Sequence, residues 1–249
     1  MNLNFEDKII LVTGATRGIG KQIADDLHKL GGTLIITGTH EEQIEALNKT
    51  ALEAGERKHY FCVDLRSDIS IDNFLLNLKK FPKIDILVNN AGLNKHNSVE
   101  DIITEEWNDM MAVNVTAPFK LIRDISPRMI NNAYGRIINI ASIFSKIGKE
   151  RRTCYTTTKF GINGLTLAVA NDLSRYNILV NTVSPGFIMT DMTRANLSPE
   201  EIEQLASQIP AKRMGKVEDI SNVVAFLASD LNSYITGQNI IVDGGFVNV

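Results

Sequence analysis

Tyr155 and Lys159 stand four residues apart in Thr153-Cys154-Tyr155-Thr156-Thr157-Thr158-Lys159, inside a stretch of helical pattern. On a helix that spacing puts a phenol and an ammonium on one face, one turn apart. A free phenol has a pKa near 10, too high for an efficient acid or base at neutral pH, and a neighbouring cation favours its ionised form. Tyr-x-x-x-Lys alone is a common chance pairing whose ordinary meaning is a packed tyrosine and a solvated lysine. Ser142 changes that reading. It closes the strand candidate over 137–141, 13 residues before Tyr155. A hydroxyl at a strand end and a phenol on the next helix can face one bound carbonyl.

A second chemical feature lies near the start. The run 9–13 leads into Thr13-Gly14-Ala15-Thr16-Arg17-Gly18-Ile19-Gly20, and a helical pattern follows. Glycines at 14, 18 and 20 permit a tight turn, and the helix N-terminus offers unpaired N–H groups to a pyrophosphate. Three glycines are a weak signal in a loop and a strong one between a buried strand and a helix. A nucleoside-triphosphate loop does not match, because Gln22 follows Lys21 and the spacing from Gly14 to Gly20 is one residue too long. A free ribose 2′-hydroxyl usually meets a carboxylate at the end of the second strand. Here that end reads Thr37-Gly38-Thr39-His40, and Arg17 sits in the glycine turn where a guanidinium suits a 2′-phosphate. NADP(H) is therefore favoured. NAD(H) is the alternative, with Arg17 in solvent and Glu41 or Glu42 reaching the ribose.

The elements that must position these groups alternate. Strand candidates are 9–13, 33–37, 59–63, 84–89, 135–141, 178–184 and 239–242. Helical patterns fall near 18–30, 41–54, 68–80, 104–131, 153–175 and 217–228. Several strands are apolar almost throughout, which implies burial on both faces. The expectation is an α/β single-domain Rossmann fold over 1–249, a seven-stranded doubly wound parallel sheet with helices on both faces. The stretch 187–213 lacks a strand and carries the helix start Ser198-Pro199-Glu200-Glu201. Placed beyond a strand's C-terminal edge, it reads as a substrate lid, or as a solvated helix pair.

Composition narrows the class. The 249 residues are 44% hydrophobic and 22% charged with net charge −3, so no basic excess points to nucleic acid. The apolar runs are far shorter than the roughly 20 residues of a bilayer span. The start of the chain carries Glu6 and Asp7 without a secretory apolar core, and Cys62 and Cys154 make no disulfide framework. A cytoplasmic setting is expected. The four histidines are scattered, so no metal site is expected. Cys154, one position round the helix from Tyr155, reads as a packed residue.

The sequence resembles the short-chain dehydrogenase/reductase family along essentially its whole length. The carriers are Thr13-Gly14-x-x-x-Gly18-x-Gly20, Asn89-Asn90-Ala91-Gly92, Asn114, Ser142, Tyr155-x-x-x-Lys159, Ser184-Pro185-Gly186 and Val242-Asp243-Gly244-Gly245. It is especially similar to the 3-oxoacyl-(acyl-carrier-protein) reductase branch, in Gly186-Phe187-Ile188, Thr190-Asp191-Met192-Thr193 and Ala225-Phe226-Leu227-Ala228-Ser229-Asp230. The resemblance implies a hydride transferred between nicotinamide and a carbonyl or alcohol. It implies Tyr155 as general acid or base, Lys159 assisting it, Ser142 on the carbonyl oxygen, and Asn114 holding a water of a proton relay. A helix-interior Asn would otherwise read as a tolerated surface residue. The resemblance further implies cofactor contacts from Gly14, Thr16, Arg17, Gly18, Ile19, Gly20 and Thr39. Asp64 and Leu65 would contact adenine, and Asn90, Ala91 and Gly92 would pass along the ribose. Tyr155, Lys159, Pro185, Gly186, Ile188 and Thr190 would lie about the nicotinamide end. The long helices at 104–131 and 153–175 would pair subunits in a homotetramer.

The substrate is the open part. Between Ser142 and Tyr155 the branch has a small, glycine-rich stretch, whereas this chain carries Lys149, Arg151 and Arg152. They read as a solvated loop or as recognition of an anionic substrate such as a phosphate-bearing sugar. Asn131-Asn132-Ala133-Tyr134 is uncharged, up to Arg136, where the branch docks its carrier, although Arg123, Arg128 and Arg175 could stand nearby in the fold. The alternatives are a small-molecule or carrier-bound carbonyl substrate, another ketone or alcohol including an anionic sugar, and an inactive dinucleotide-binding scaffold.

Overall fold

The buried β-branched runs form a parallel sheet because helices cover both of its faces. The computed structural model describes residues 3–248. Its main-sheet strands are β1 (Ile9–Val12), β2 (Thr33–Gly38), β3 (Lys58–Cys62), β4 (Ile86–Asn89), β5 (Gly135–Ile140), β6 (Ile178–Pro185) and β9 (Asn239–Val242). They lie in the order β3-β2-β1-β4-β5-β6-β9, and every pairing is parallel. This is the doubly wound Rossmann sheet that the alternation predicts. The direction of winding reverses between β1 and β4, so the ligand crevice belongs at their C-terminal ends.

Two cores follow from the two faces. On one side α1 (Gly18–Lys29) and α9 (Val217–Ala228) set Ile23, Leu27, Ile220 and Val224 against Ile10, Val12 and Ile138. On the other, α3 (Asp68–Leu78), α5 (Ala117–Asn131) and α6 (Thr153–Leu173) set Phe74, Leu121, Ile125 and Ala170 against Leu11, Leu87 and Ile137. Adjacent residues of one strand thus feed opposite cores, which is why no polar alternation is seen. Between β2 and β3 runs α2 (Glu41–Glu53).

Two details differ from the sequence reading. The stretch 187–213 does contain a strand, β7 (Ile188–Met189), paired in parallel with β8 (Gly215–Lys216). A two-residue strand is too short to carry a period. The expected single helix 104–131 is also interrupted. The π-helical segment Ala112–Thr116 separates α4 (Thr104–Met111) from α5. The remaining helices are α7 (Asp191–Asn196) and α8 (Pro199–Gln208). The Ser198 side chain caps α8 by accepting from Glu201 N, and Glu201 accepts from Ser198 N in return, as the Ser-Pro-Glu-Glu start predicts. Among the described residues no helix is long and apolar enough to cross a membrane, and no three metal-ligating side chains cluster.

Candidate active site

The glycine turn leaves β1 at the switch point and is held from below. Thr13 Oγ1 accepts from the backbone N–H groups of Asn90 and Ala91 at 3.0 and 3.1 Å. Asn90 Nδ2 donates to the carbonyls of Thr13 and Gly14 at 2.9 and 3.0 Å. The β1 and β4 ends are thereby stitched together. Gly14 has φ +61°, and a Cβ there would stand 2.8 Å from Ala91 Cα. Gly18, with φ +58°, has open space at the same position. The turn is therefore closed on the protein side and open on the crevice side, as a backbone that receives a phosphate group requires. Gly20 is buried against the turn, while Thr16 and Ile19 are half-buried.

Around this turn the other expected cofactor residues occupy strand ends. Arg17 and Thr39 are exposed, and the end of β2 carries no carboxylate. Asp64, after β3, is clamped by Arg66 through Nε at 3.0 Å and a second nitrogen at 2.8 Å, which holds its carboxyl below the usual range. Leu65 is buried. Asn90, Ala91 and Gly92 follow β4, and Pro185 and Gly186 end β6 and follow it. A Cβ at Gly186 would meet Asp243 Cα at 2.7 Å, so the Val242-Asp243-Gly244-Gly245 turn packs directly on it. Ile188 is buried, and Thr190 caps α7 by accepting from Thr193 N at 3.2 Å. A cavity of about 790 Å³ opens between Gly18 and Lys21 on one side and Met189, Thr190 and Met214 on the other.

The four expected catalytic positions converge at the C-terminal end of β5. Ser142 Oγ accepts from Phe144 N at 3.3 Å, and its hydroxyl stands near enough to the Tyr155 phenol to favour the ionised form. Lys159 Nζ lies 5.4 Å from the centre of the Tyr155 ring and donates to the Ile140 carbonyl at 3.0 Å. Asn114 is buried in the π-helical segment. Its Oδ1 accepts from Leu93 N at 2.8 Å, and its Nδ2 donates to Leu93 O and to Thr158 Oγ1, each at 2.9 Å. A π-turn is a frequent mark of a functional position in a helix. Asn114 Oδ1 and Lys159 Nζ both lie within 4 Å of where a Gly92 side chain would stand. All four groups therefore border the same end of the crevice as the glycine turn.

The model of the family described as enoyl-(acyl carrier protein) reductase matches residues 14–247. The 3-oxoacyl-(acyl-carrier-protein) reductase of Aquifex aeolicus is 41% identical over 247 residues, covering 98% of this chain and 99% of its own. That of Escherichia coli is 39% identical over 248 residues, covering 99% and 100%. The chain belongs to the short-chain dehydrogenase/reductase family. The crystal structure of a gluconate 5-dehydrogenase from Burkholderia cenocepacia, in complex with NADP and tartrate, matches this oxidoreductase with a TM-score of 0.91. It is 28% identical and covers 99% of this chain and 98% of its own.

The electrostatics of the site hold a feature that the sequence reading missed. Burial pushes the Tyr155 phenol up, while Ser142 and the Arg152 guanidinium pull it down. Burial alone pushes Lys159 down to about 8. The cation that lowers the phenol is therefore Arg152. It lies over the Phe144 ring at 5.4 Å, and Phe144 meets Tyr155 edge-on at 6.0 Å. Asn94 and His96, from the loop after β4, contact the same guanidinium. Their spacing in sequence, more than 50 residues from Arg152, carries no periodic signal. Cys154 is buried, as its packed reading requires.

Proposed function

We propose that this chain is an NADP(H)-dependent carbonyl reductase, acting in reverse on the corresponding alcohol. The observation that carries it is the placement of the Ser142 hydroxyl near the Tyr155 phenol, one helical turn from a buried Lys159, at the strand ends that form the glycine turn's crevice. The gluconate 5-dehydrogenase solved with NADP and the 3-oxoacyl reductases support the same reading. The dinucleotide supplies the hydride when bound. Its phosphates fit the open side of Gly18, and Arg17 fits a 2′-phosphate, since the β2 end offers no acid to a ribose hydroxyl.

The side chains divide the proton chemistry. Tyr155 donates its proton to the carbonyl oxygen, and Ser142 donates a hydrogen bond to the same oxygen as negative charge builds there. Lys159, held by Ile140, keeps a cation behind the phenol and favours the phenolate left after transfer. Asn114 is a positioning residue. It ties the loop after β4 to α6 through Leu93 and Thr158, beside the space where a relay water would meet Lys159. The segment 187–213 serves as the lid over the cavity bordered by Gly18 and Thr190. Phe119, Phe160 and Leu167 are exposed on α5 and α6, which suits pairing of those helices in a cytoplasmic homotetramer.

A second reading concerns the substrate. Arg128 spends its guanidinium on the carbonyls of Leu78 and Phe81, Arg123 pairs with Asp124, and Arg175 stacks on Tyr176. Arg128 is thereby withdrawn from docking a carrier, which favours a small-molecule carbonyl over a carrier-bound one. The test is NADPH oxidation, followed optically, against an acetoacetyl thioester, keto acids and keto sugars. Turnover of at least one carbonyl is expected, and its loss in Tyr155→Phe. NADPH bound tightly with none of them reduced would overturn the reading.

A further inference from the structure

We propose that Arg152, with Asn94 and His96 beside it, is an anion subsite that holds a carboxylate or phosphate carried by the substrate; the proposal rests on the reductase reading above. One guanidinium nitrogen is fully committed. It donates to Asn94 Oδ1 at 2.7 Å and to His96 Nε2. Among the described residues, Nε and the other terminal nitrogen of Arg152 have no acceptor, and no carboxylate pairs with the group. That free edge is the one a planar oxyanion engages with two parallel hydrogen bonds.

The free edge is not a solvated accident. Arg152 is half-buried and fixed over Phe144, at the mouth of the same site as Tyr155. A desolvated cation without a counter-charge is costly unless a ligand supplies one. Glu106 of α4, which reaches the loop after β4, is already engaged by Lys95 and Asn97, and among the described residues Glu150 makes no ion pair with Arg152. Lys149 and Arg151 add their field, and with Arg152 they hold the His96 imidazole below its usual range after burial has lowered it. A neutral His96 accepts from the guanidinium and keeps it aimed. The cluster is therefore cationic, held at one nitrogen by Asn94 and His96 and on one face by the Phe144 ring, with its remaining N–H groups unpaired among the described residues. It sits one aromatic ring from the proton donor, where a substrate's charged end would lie a few bonds from its carbonyl.

The test is calorimetric titration of inorganic phosphate and of malonate into the full-length protein saturated with NADPH, so that the 2′-phosphate contacts are occupied. Wild type is expected to bind at least one of the two. Arg152→Gln should bind it at least about tenfold more weakly, Arg152→Lys should fall between, and NADPH affinity should stay within about twofold in all three. Preserved NADPH affinity reports a folded protein. Equal anion affinity in wild type and Arg152→Gln, or no binding of either anion to wild type, overturns the subsite. A parallel arm compares NADPH oxidation with acetoacetate and with its methyl ester. The subsite predicts that Arg152→Gln lowers kcat/KM for the acid at least about tenfold more than for the ester, whose own change reports the loss of the cation near the Tyr155 phenol. An Arg152-dependent anion site in a protein that reduces no carbonyl refutes the reductase reading alone. Carbonyl reduction with an unchanged acid-to-ester ratio refutes the subsite alone.

Discussion

Lys159 Nζ donates to the backbone carbonyl of Ile140, so the cation of α6 is anchored to the strand that delivers Ser142 two residues later. One contact fixes the spacing between the element bearing the phenol and the element bearing the hydroxyl. It also leaves a lysine in the interior with no carboxylate beside it, since only burial moves its titration.

This arrangement has a thermodynamic signature. Folded Lys159 titrates at about 8, against 10.5 for an ordinary lysine. Between those values the unfolded chain binds the extra proton, so unfolding becomes harder as pH rises; below about 8 the burial penalty is fully present. Comparing pH 8 with pH 9.5, the unfolding free energy of wild type should rise relative to Lys159→Met by about 1.5 kcal/mol. Denaturant titrations of both proteins at the two pH values measure it. A difference that shrinks or stays flat would show that Lys159 is not held as a strained interior cation.

Tyr155→Phe removes only the hydroxyl near Ser142 and leaves the ring against Phe144. Turnover should fall by about 10²–10⁴-fold, the usual contribution of a positioned acid. NADPH affinity should change little, because the glycine turn and the β4 end are untouched. Steady-state rates and fluorescence titration separate the two. Turnover near wild type would take Tyr155 out of the mechanism.

The sheet was legible because buried parallel strands are apolar at both parities and their helices are long enough to show a period. Ile9–Val12 and Ile178–Pro185 illustrate this, each lying almost wholly in the interior. Pairing of Ile188–Met189 with Gly215–Lys216 was not legible, since two residues cannot alternate. Asn114 was legible only through family resemblance; its inward aim comes from a π-turn whose hydrogen-bond register leaves no mark in composition. Arg152 was visible as part of a basic run, but not its contact with Asn94 and His96. That contact depends on two loops from non-adjacent segments meeting over Phe144.

Gly14 and Gly18 share a left-handed backbone and differ in what a side chain would meet, which makes them a matched pair. Alanine at either position adds about 1 kcal/mol of backbone strain. At Gly14 the new Cβ also meets Ala91 Cα at 2.8 Å, whereas at Gly18 it enters open space. Gly14→Ala should therefore lower the melting temperature well beyond Gly18→Ala. Gly18→Ala should stay folded and lose dinucleotide affinity, because its Cβ points into the room the phosphates need. Thermal melts with and without NADPH distinguish the pair. Equal destabilisation would mean that the stitching of Gly14 to the β4 end is not rigid.

Cofactor choice should rest on Arg17. It is exposed at the start of α1 with extended backbone, φ −155°, and among the described residues no carboxylate pairs with it. The competing acid is missing where a ribose 2′-hydroxyl would need one. Gly38 ends β2, Thr39 and His40 follow, and Asp64 across the crevice is already clamped by Arg66. A charge-assisted pair with a 2′-phosphate contributes about 1.5–3 kcal/mol, which corresponds to roughly 10- to 100-fold in affinity. Wild type should bind NADPH at least about tenfold more tightly than NADH, and Arg17→Ala should bring the two affinities together by weakening NADPH alone. Salt should narrow the gap in wild type and leave the variant unaffected, since the pair is exposed. Fluorescence titrations of both dinucleotides at low and high ionic strength read all of these, and equal wild-type affinities would assign the adenosine end to Glu41 or Glu42 instead.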